Sequence, residues 1–170
     1  MKNESSHNAK QILIRAAKPA DAEAIIHVHY AAVHEIASAF YPPEIIEDWS
    51  RKPDEARYLW MRHLITQGEE IIIVAEDKSE ILGFGIIIPK LREMRALYVH
   101  PTAGRRGIGQ KILQELETRA VTQGISCLQL NASLNAEKFY QCNGYKNLSR
   151  GTFRLSVEHE MDCVKMEKNL

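Results

Sequence analysis

The stretch EMRALYVHPTAGRRGIG, Glu93 to Gly109, decides how this chain is read. Arg92 to Val99 has the character of a strand, which Pro101 stops. Three glycines and two arginines follow, Gly104, Gly107, Gly109, Arg105 and Arg106. From Gly107 to Gln123 the spacing becomes helical, with Ile108, Ile112, Leu113, Leu116 and Ala120 on one side and Gly124 as a C-terminal stop. Ile125 to Asn131 reads as another strand. A strand, a helix and a strand in about thirty-five residues form a βαβ unit, whose two strands run parallel through a right-handed crossover.

The loop inside this unit suits an anion. Backbone N–H groups at a helix start point outward with the positive end of the helix dipole, and glycines let a ligand approach the main chain. Arg105 and Arg106 add charge beside it. The loop lacks the lysine followed by serine or threonine of a Walker sequence, and its glycine spacing is not that of a dinucleotide fingerprint. Taken alone, it reads equally well as a tight turn with solvated arginines.

Outward from this unit, Gln11 to Ala16 is a short strand. Pro19, Asp21 and Glu23 open a helix whose Ala22, Ile25, Ile26, Val33, Ile36 and Ala37 share an apolar face. Tyr41 to Pro43 breaks it, and two helical pieces follow, Glu44 to Lys52 and Asp54 to Thr66, divided by Pro53 and closed by Gly68. Ile71 to Ala75 and Ile81 to Ile88 are rich in β-branched residues around the turn Asp77 to Glu80, and form an antiparallel hairpin. After the βαβ unit come a short helix, Asn135 to Asn143, and two closing strands, Tyr145 to Leu155 and His159 to Glu167. The prediction is one α/β domain with a mixed, twisted sheet, preceded by a polar tail at residues 1 to 10.

Composition fits a chain of 170 residues that buries one core. Twenty-two basic and 22 acidic side chains balance, so no global field favours nucleic acid or an anionic membrane. No stretch is apolar for long enough to span a bilayer, and no signal peptide is recognisable. Cys127, Cys142 and Cys163 are too few and too scattered for a disulfide framework or a zinc site, which points to a reducing cytoplasm. His27, His29 and His34 share the first helix, but Ser38 stands where HExxH needs its second histidine, so no metal is expected.

The loop resembles the signature of the GNAT acetyltransferase superfamily, with Val99, Pro101, Gly107, Ile108 and Gly109 in register. Gly104 departs from it, standing where the family usually has glutamine or arginine. A second segment, Asn131 to Tyr140 followed by Gly144 and Tyr145, looks like the family's second coenzyme A motif, and the likeness covers roughly residues 11 to 168. The resemblance implies a GNAT domain over residues 11 to 170, with a central pair of splayed parallel strands flanked by helices. It implies acetyl-CoA as co-substrate, an amine acceptor that is a small molecule or a protein or peptide, and a homodimer among the usual assemblies. A coenzyme A sensor with the same fold and little turnover is the rival reading.

Residue roles follow from the same resemblance. The diphosphate would lie on the backbone amides from Arg105 to Gly109, with Arg105 and Arg106 assisting in place of the missing side chain at Gly104. Leu97, Tyr98 and Val99 would grip the pantetheine and, at Leu97 or Tyr98, polarise the thioester carbonyl, with Asn131 on the facing strand. Asn135 would hydrogen-bond the arm, although asparagine there equally suits a helix N-cap. Tyr140 matches the tyrosine that protonates the leaving sulfur, and packing against Phe139 is its alternative. Glu93, sharing strand parity with Arg95, Leu97 and Val99, matches a catalytic base, with a solvated strand-end glutamate as the alternative. Glu35, Tyr41 and Trp49 lie where the family builds its acceptor pocket, with Glu44, Glu47 and Asp48 nearby. Glu158 and His159 are a second choice.

Overall fold

The branched aliphatic runs in the middle of the chain are satisfied on both sides at once. Ile71, Ile73 and Ala75 enter one core while Ile72 and Val74 enter another, so the strand carrying them must be covered on both faces. The computed structural model describes residues 12–170; the predicted tail at 1 to 10, and Gln11, lie outside these. In chain order the elements are β1 (Leu13–Ala16), α1 (Ala22–Glu35), α2 (Pro43–Trp49), α3 (Glu55–Gln67), β2 (Ile71–Asp77), β3 (Glu80–Ile88) and β4 (Glu93–Val99). Then come α4 (Ile108–Thr122), β5 (Cys127–Ser133), α5 (Glu137–Cys142), β6 (Lys146–Arg154) and β7 (Glu160–Asn169).

The seven strands form one sheet in the order β1-β2-β3-β4-β5-β7-β6. β4 and β5 run parallel, and every other neighbouring pair is antiparallel. On one face α4 packs its Ile108, Ile112, Leu113, Leu116 and Ala120 into the larger core, which Tyr140 of α5 also joins. On the other face Ile25, Ile26 and Val28 of α1 and Met61 of α3 meet Ile72, Val74, Phe84 and Ile86. A third cluster, including Val33, Tyr41, Ile46 and Met161, ties α1 and α2 to β7. No helix among the described residues is long and apolar enough to cross a membrane.

Several boundaries shift by one to three residues from the sequence reading, and two of the shifts, at β5 and α5, have a clear local reason. The strand expected from Ile125 begins at Cys127, because Gly124 turns at φ 79° and the Ile125 N–H returns 3.0 Å to the Ala120 carbonyl. The helix expected from Asn135 begins at Glu137, because the Ala136 N–H closes a turn on Ser133 at 2.9 Å. At the other end of the sheet, Arg15 donates to Glu76 (2.6 Å) and to both oxygens of Asp21 (2.7 and 2.9 Å), fastening β1 to β2 and to the entry of α1.

Gly83 and Gly85 of β3 let α4 lie directly on the sheet. A Cβ at Gly83 would stand 2.9 Å from Ile112 Cδ1 and 2.9 Å from the Tyr98 carbonyl oxygen, and one at Gly85 would stand 2.5 Å from Leu116 Cδ1. The Tyr98 carbonyl belongs to β4 and does not swing aside as a side chain does. Gly83→Ala is therefore expected to lower stability by about 1–3 kcal/mol. Gly104→Ala, whose Cβ meets only the Pro101 carbonyl at 3.3 Å, should change it little. Urea unfolding checks this, and equal midpoints for the two variants would refute the close approach of α4.

Candidate active site at the seam between two parallel strands

β4 and β5 pair at one position, Glu93 opposite Gln129, with the Gln129 N–H 2.9 Å from the Arg92 carbonyl. Beyond it the strands part. On its other side β4 is bonded to β3, and the His100 N–H donates to the Leu82 carbonyl at 2.8 Å. Alternation along an antiparallel ladder then turns the main chain of Ala96 and Tyr98 toward β3, and that of Leu97 and Val99 toward the gap. Of the two residues expected to offer a main-chain donor, Leu97 therefore faces the gap and Tyr98 faces β3. Tyr98 instead turns its ring to the α1 side, stacking on Phe84 at 5.5 Å and meeting His29 edge-on at 4.7 Å.

The register of β3 against β4 slips by one residue between Ile86 and Ile87, which leaves Arg95 as an extra residue in β4. Met94 therefore joins Leu97 on the α4 side, and Glu93 falls with Ala96 and Tyr98. The shared parity expected for Glu93, Arg95, Leu97 and Val99 is corrected by this bulge. Glu93 still reaches the gap, where its carboxylate accepts from Arg95 Nε at 2.6 Å.

The gap is a cavity of about 90 Å³ whose lining includes Glu93, Leu97, Asn131, Tyr140, Phe153 and Met161. Tyr140 both packs and presents a polar group. Its ring meets Phe139 and Tyr145 edge-on at 5.2 and 5.4 Å, yet its hydroxyl has no hydrogen-bond partner among the described residues. Burial pushes its pKa above the ordinary phenol range. Asn131 Oδ1 lies 3.8 Å from the buried Cys163 thiol. Phe153 and Met161, from the closing hairpin, are wall residues that the sequence reading missed. Their pattern is that of any half-buried strand.

A second cavity of about 220 Å³ continues toward α4, between Leu97, Val99, Gly109, Asn135 and Phe139. The N-cap of α5 is Ala136, with no side-chain cap bond, so the capping alternative for Asn135 is overturned. Asn135 Oδ1 is buried there without a partner among the described residues. At the start of α4, Gly107 takes φ 72°, and the first helical bond runs from the Lys111 N–H to the Gly107 carbonyl at 3.1 Å. The N–H groups of Ile108, Gly109 and Gln110 precede that bond. Arg106 is committed to Asp77 at 3.1 Å, whereas Arg105, at φ 62°, is exposed with no ion pair among the described residues. Of the two arginines expected to assist, Arg105 is the available one.

The residues expected at the acceptor side separate. Trp49 lines both cavities. Tyr41 is not a wall of either: its hydroxyl donates to the Asp162 carbonyl and accepts from the Leu134 N–H, each at 2.7 Å, making it a buried strut between β7 and the turn into α5. Glu35 is exposed at the end of α1, outside both linings. His159 clasps Asp48 at 3.0 Å, which fastens the last hairpin to α2. His29 meets Ser50 Oγ at 3.0 Å, and burial pushes its pKa down to about 3, so it stays neutral inside the α1–α2 packing. His27 pairs instead with Tyr58, and no group of three potential metal ligands occurs among the described residues.

The family model described as acetyltransferase (GNAT) domain matches residues 41–170. The structure resembles that of a GCN5-related N-acetyltransferase from Rhodopseudomonas palustris, with 24% identity, coverage of 94% of this chain and 96% of that one, and a TM-score of 0.84. It also resembles the PaiA N-acetyltransferase from Thermoplasma acidophilum in complex with coenzyme A, with 23% identity, 94% and 99% coverage and a TM-score of 0.77. At these identities the likeness is one of fold. The uncharacterized N-acetyltransferase YhfO of Bacillus subtilis (strain 168) is 28% identical over 89 residues, 46% of this chain, and the match spans 60% of that relative's length. With its glycine loop, its parted parallel strands and a family match over residues 41–170, the chain belongs to the GNAT acetyltransferase family.

Proposed function

We propose that the protein transfers an acetyl group from acetyl-CoA to a primary amine by direct attack within a ternary complex. The observation that carries this reading is the seam: Leu97 and Tyr140 line one cavity and Leu97 and Val99 the next, and the Tyr140 hydroxyl has no hydrogen-bond partner among the described residues. Unpaired strand edges accept an extended, amide-containing arm by β-augmentation. Asn135 Oδ1, one cavity further toward α4 and without a partner among the described residues, fits an amide N–H of the same arm. The amides at the start of α4, with Arg105 beside them, fit a diphosphate. Acetyl-CoA supplies a thioester activated toward amines.

The chain's own groups divide the remaining work. The Leu97 N–H is placed to polarise an acyl oxygen held in the seam. Tyr140 keeps its proton at neutral pH, since burial raises its pKa, and can hydrogen-bond and protonate a departing sulfur. Glu93, in the same lining, is the carboxylate placed to receive a proton from the amine, directly or through water. A direct transfer needs no nucleophilic cysteine: Cys163, which lines the seam, is buried with its pKa raised by that burial, and Cys142 is exposed at the end of α5.

Tyr140→Phe keeps the ring packing and removes the proton donor. With saturating amine, release of free thiol from acetyl-CoA should fall about 100-fold in kcat with little change in KM for acetyl-CoA. Because the phenol stays protonated, the deficit should be constant from about pH 6 to about pH 9. An unchanged kcat would leave Tyr140 a packing residue. For Glu93→Gln the deficit should be largest at low pH, where the acceptor is an ammonium ion, and shrink as pH approaches the amine's own pKa near about 10. The parent rate at every pH would give the proton to water instead.

A further inference from the structure

The charges around the seam narrow the acceptor, on the footing that the protein transfers acetyl groups to amines. The seam shares Glu93 with a neighbouring groove of about 250 Å³ that adds Gln129 and Lys165. Across these two linings Glu93 is the one carboxylate, against two cations, Arg95 and Lys165. Arg95 already grips Glu93 through Nε at 2.6 Å and Nη2 at 3.3 Å, which leaves Nη1 without a partner among the described residues. Lys165 has no carboxylate within 4.0 Å among them, and its stem lies over Gly151. On the far side of Trp49, a groove of about 410 Å³ holds Asp48 and Asp54. Both are committed, Asp48 to His159 at 3.0 Å and Asp54 to the Arg57 N–H at 2.9 Å as the N-cap of α3.

A polyamine or a basic peptide needs several uncommitted carboxylates, and these linings offer none. They offer Arg95 in one lining with an apolar wall of Trp49, Phe153 and Met161, and Lys165, unpaired among the described residues, in the groove that adjoins it. We propose that the acceptor is an apolar α-amino acid, its carboxylate held by the free edge of Arg95 with Lys165 in support and its side chain laid against Trp49, Phe153 and Met161. Arg95 reaches this position because the bulge in β4 gives it a place outside the regular alternation. In the transfer, the amine nitrogen bonds to the acetyl carbon as the carbon–sulfur bond breaks. One amine proton passes to Glu93 and from it to water, and the sulfur takes the proton of Tyr140, which water restores. The products are an N-acetyl amino acid and free coenzyme A.

The test compares kcat/KM for L-methionine, methioninol and spermidine in the parent, Arg95→Gln and Lys165→Gln proteins, by thiol release. Methionine should exceed methioninol by about tenfold, because the alcohol lacks the charged acceptor that the free edge of Arg95 would bind. Arg95→Gln should bring that ratio close to unity through a raised KM for methionine, and Lys165→Gln should lower it in part. Spermidine or methioninol turned over as well as methionine, or a ratio indifferent to Arg95→Gln, overturns the inference and leaves amine acetylation standing. Absence of turnover on every amine would contradict amine acetylation itself. Calorimetric titration of L-methionine into the coenzyme A-saturated protein then decides for the site: binding weakened by Arg95→Gln upholds it, and no binding overturns it.

Discussion

Two parallel strands that touch at one residue pair and then separate hold the rest of this structure in place. A sheet normally hides its main-chain polar groups in its own ladder, and buried groups left over are costly. Here β4 gives half of its groups to β3 and leaves Leu97 and Val99 facing a cavity, which other elements must keep open. The Tyr41 hydroxyl does part of this from one side, bonding both Leu134 and Asp162 and so fixing the distance from β7 to the turn into α5. α4 does it from another, pressed onto β3 at Gly83 and Gly85 with Ile108 buried at its first turn. The helix start and the seam are consequently held together, since Gly109 lies beside Leu97 and Phe139.

Electrostatics within the seam follow from the same arrangement. Tyr140 Oη and Asn135 Oδ1, which have no partner among the described residues, line the two cavities that lead toward the α4 amides, whereas the charged pair Glu93 and Arg95 sits at the end where the strands still touch. Neutral hydrogen-bonding groups therefore face the region suited to an acyl-carrying arm, and charge is kept where an acceptor would enter. The bulge at Arg95 sets this division. Without it Met94 and Glu93 would exchange faces, putting a carboxylate into the core under α4 and a thioether at the cavity mouth.

Much of this was legible in the sequence because it rests on periodicity and glycine placement. The helical spacing from Ile108 to Ala120 and the strand-like stretch before Pro101 fixed the βαβ unit, and its parallel pair is present. Residues whose role depends on distant partners were not legible in the same way. Tyr41 reads as an aromatic near a helix break, and only the approach of Leu134 and Asp162, some ninety and more positions away, makes it a strut. The bulge escaped detection because the segment from Glu93 to Val99 contains no glycine or proline to mark it. Asn135 was ambiguous between cap and ligand, since both uses favour the same residue type, and the turn closed by Ala136 on Ser133 separates them. Arg105 and Arg106 are indistinguishable in sequence, and Asp77 in the β2–β3 turn takes one of them.

The measurement that bears most directly on this account is a crystal structure of the protein with coenzyme A bound. The seam predicts amides of the pantetheine arm paired with the main chain of Leu97 and Val99, the diphosphate on the amides at the start of α4, and the sulfur within hydrogen-bond reach of Tyr140 Oη. Coenzyme A bound away from the seam, or β4 and β5 zipped together past Glu93 and Gln129, would contradict it.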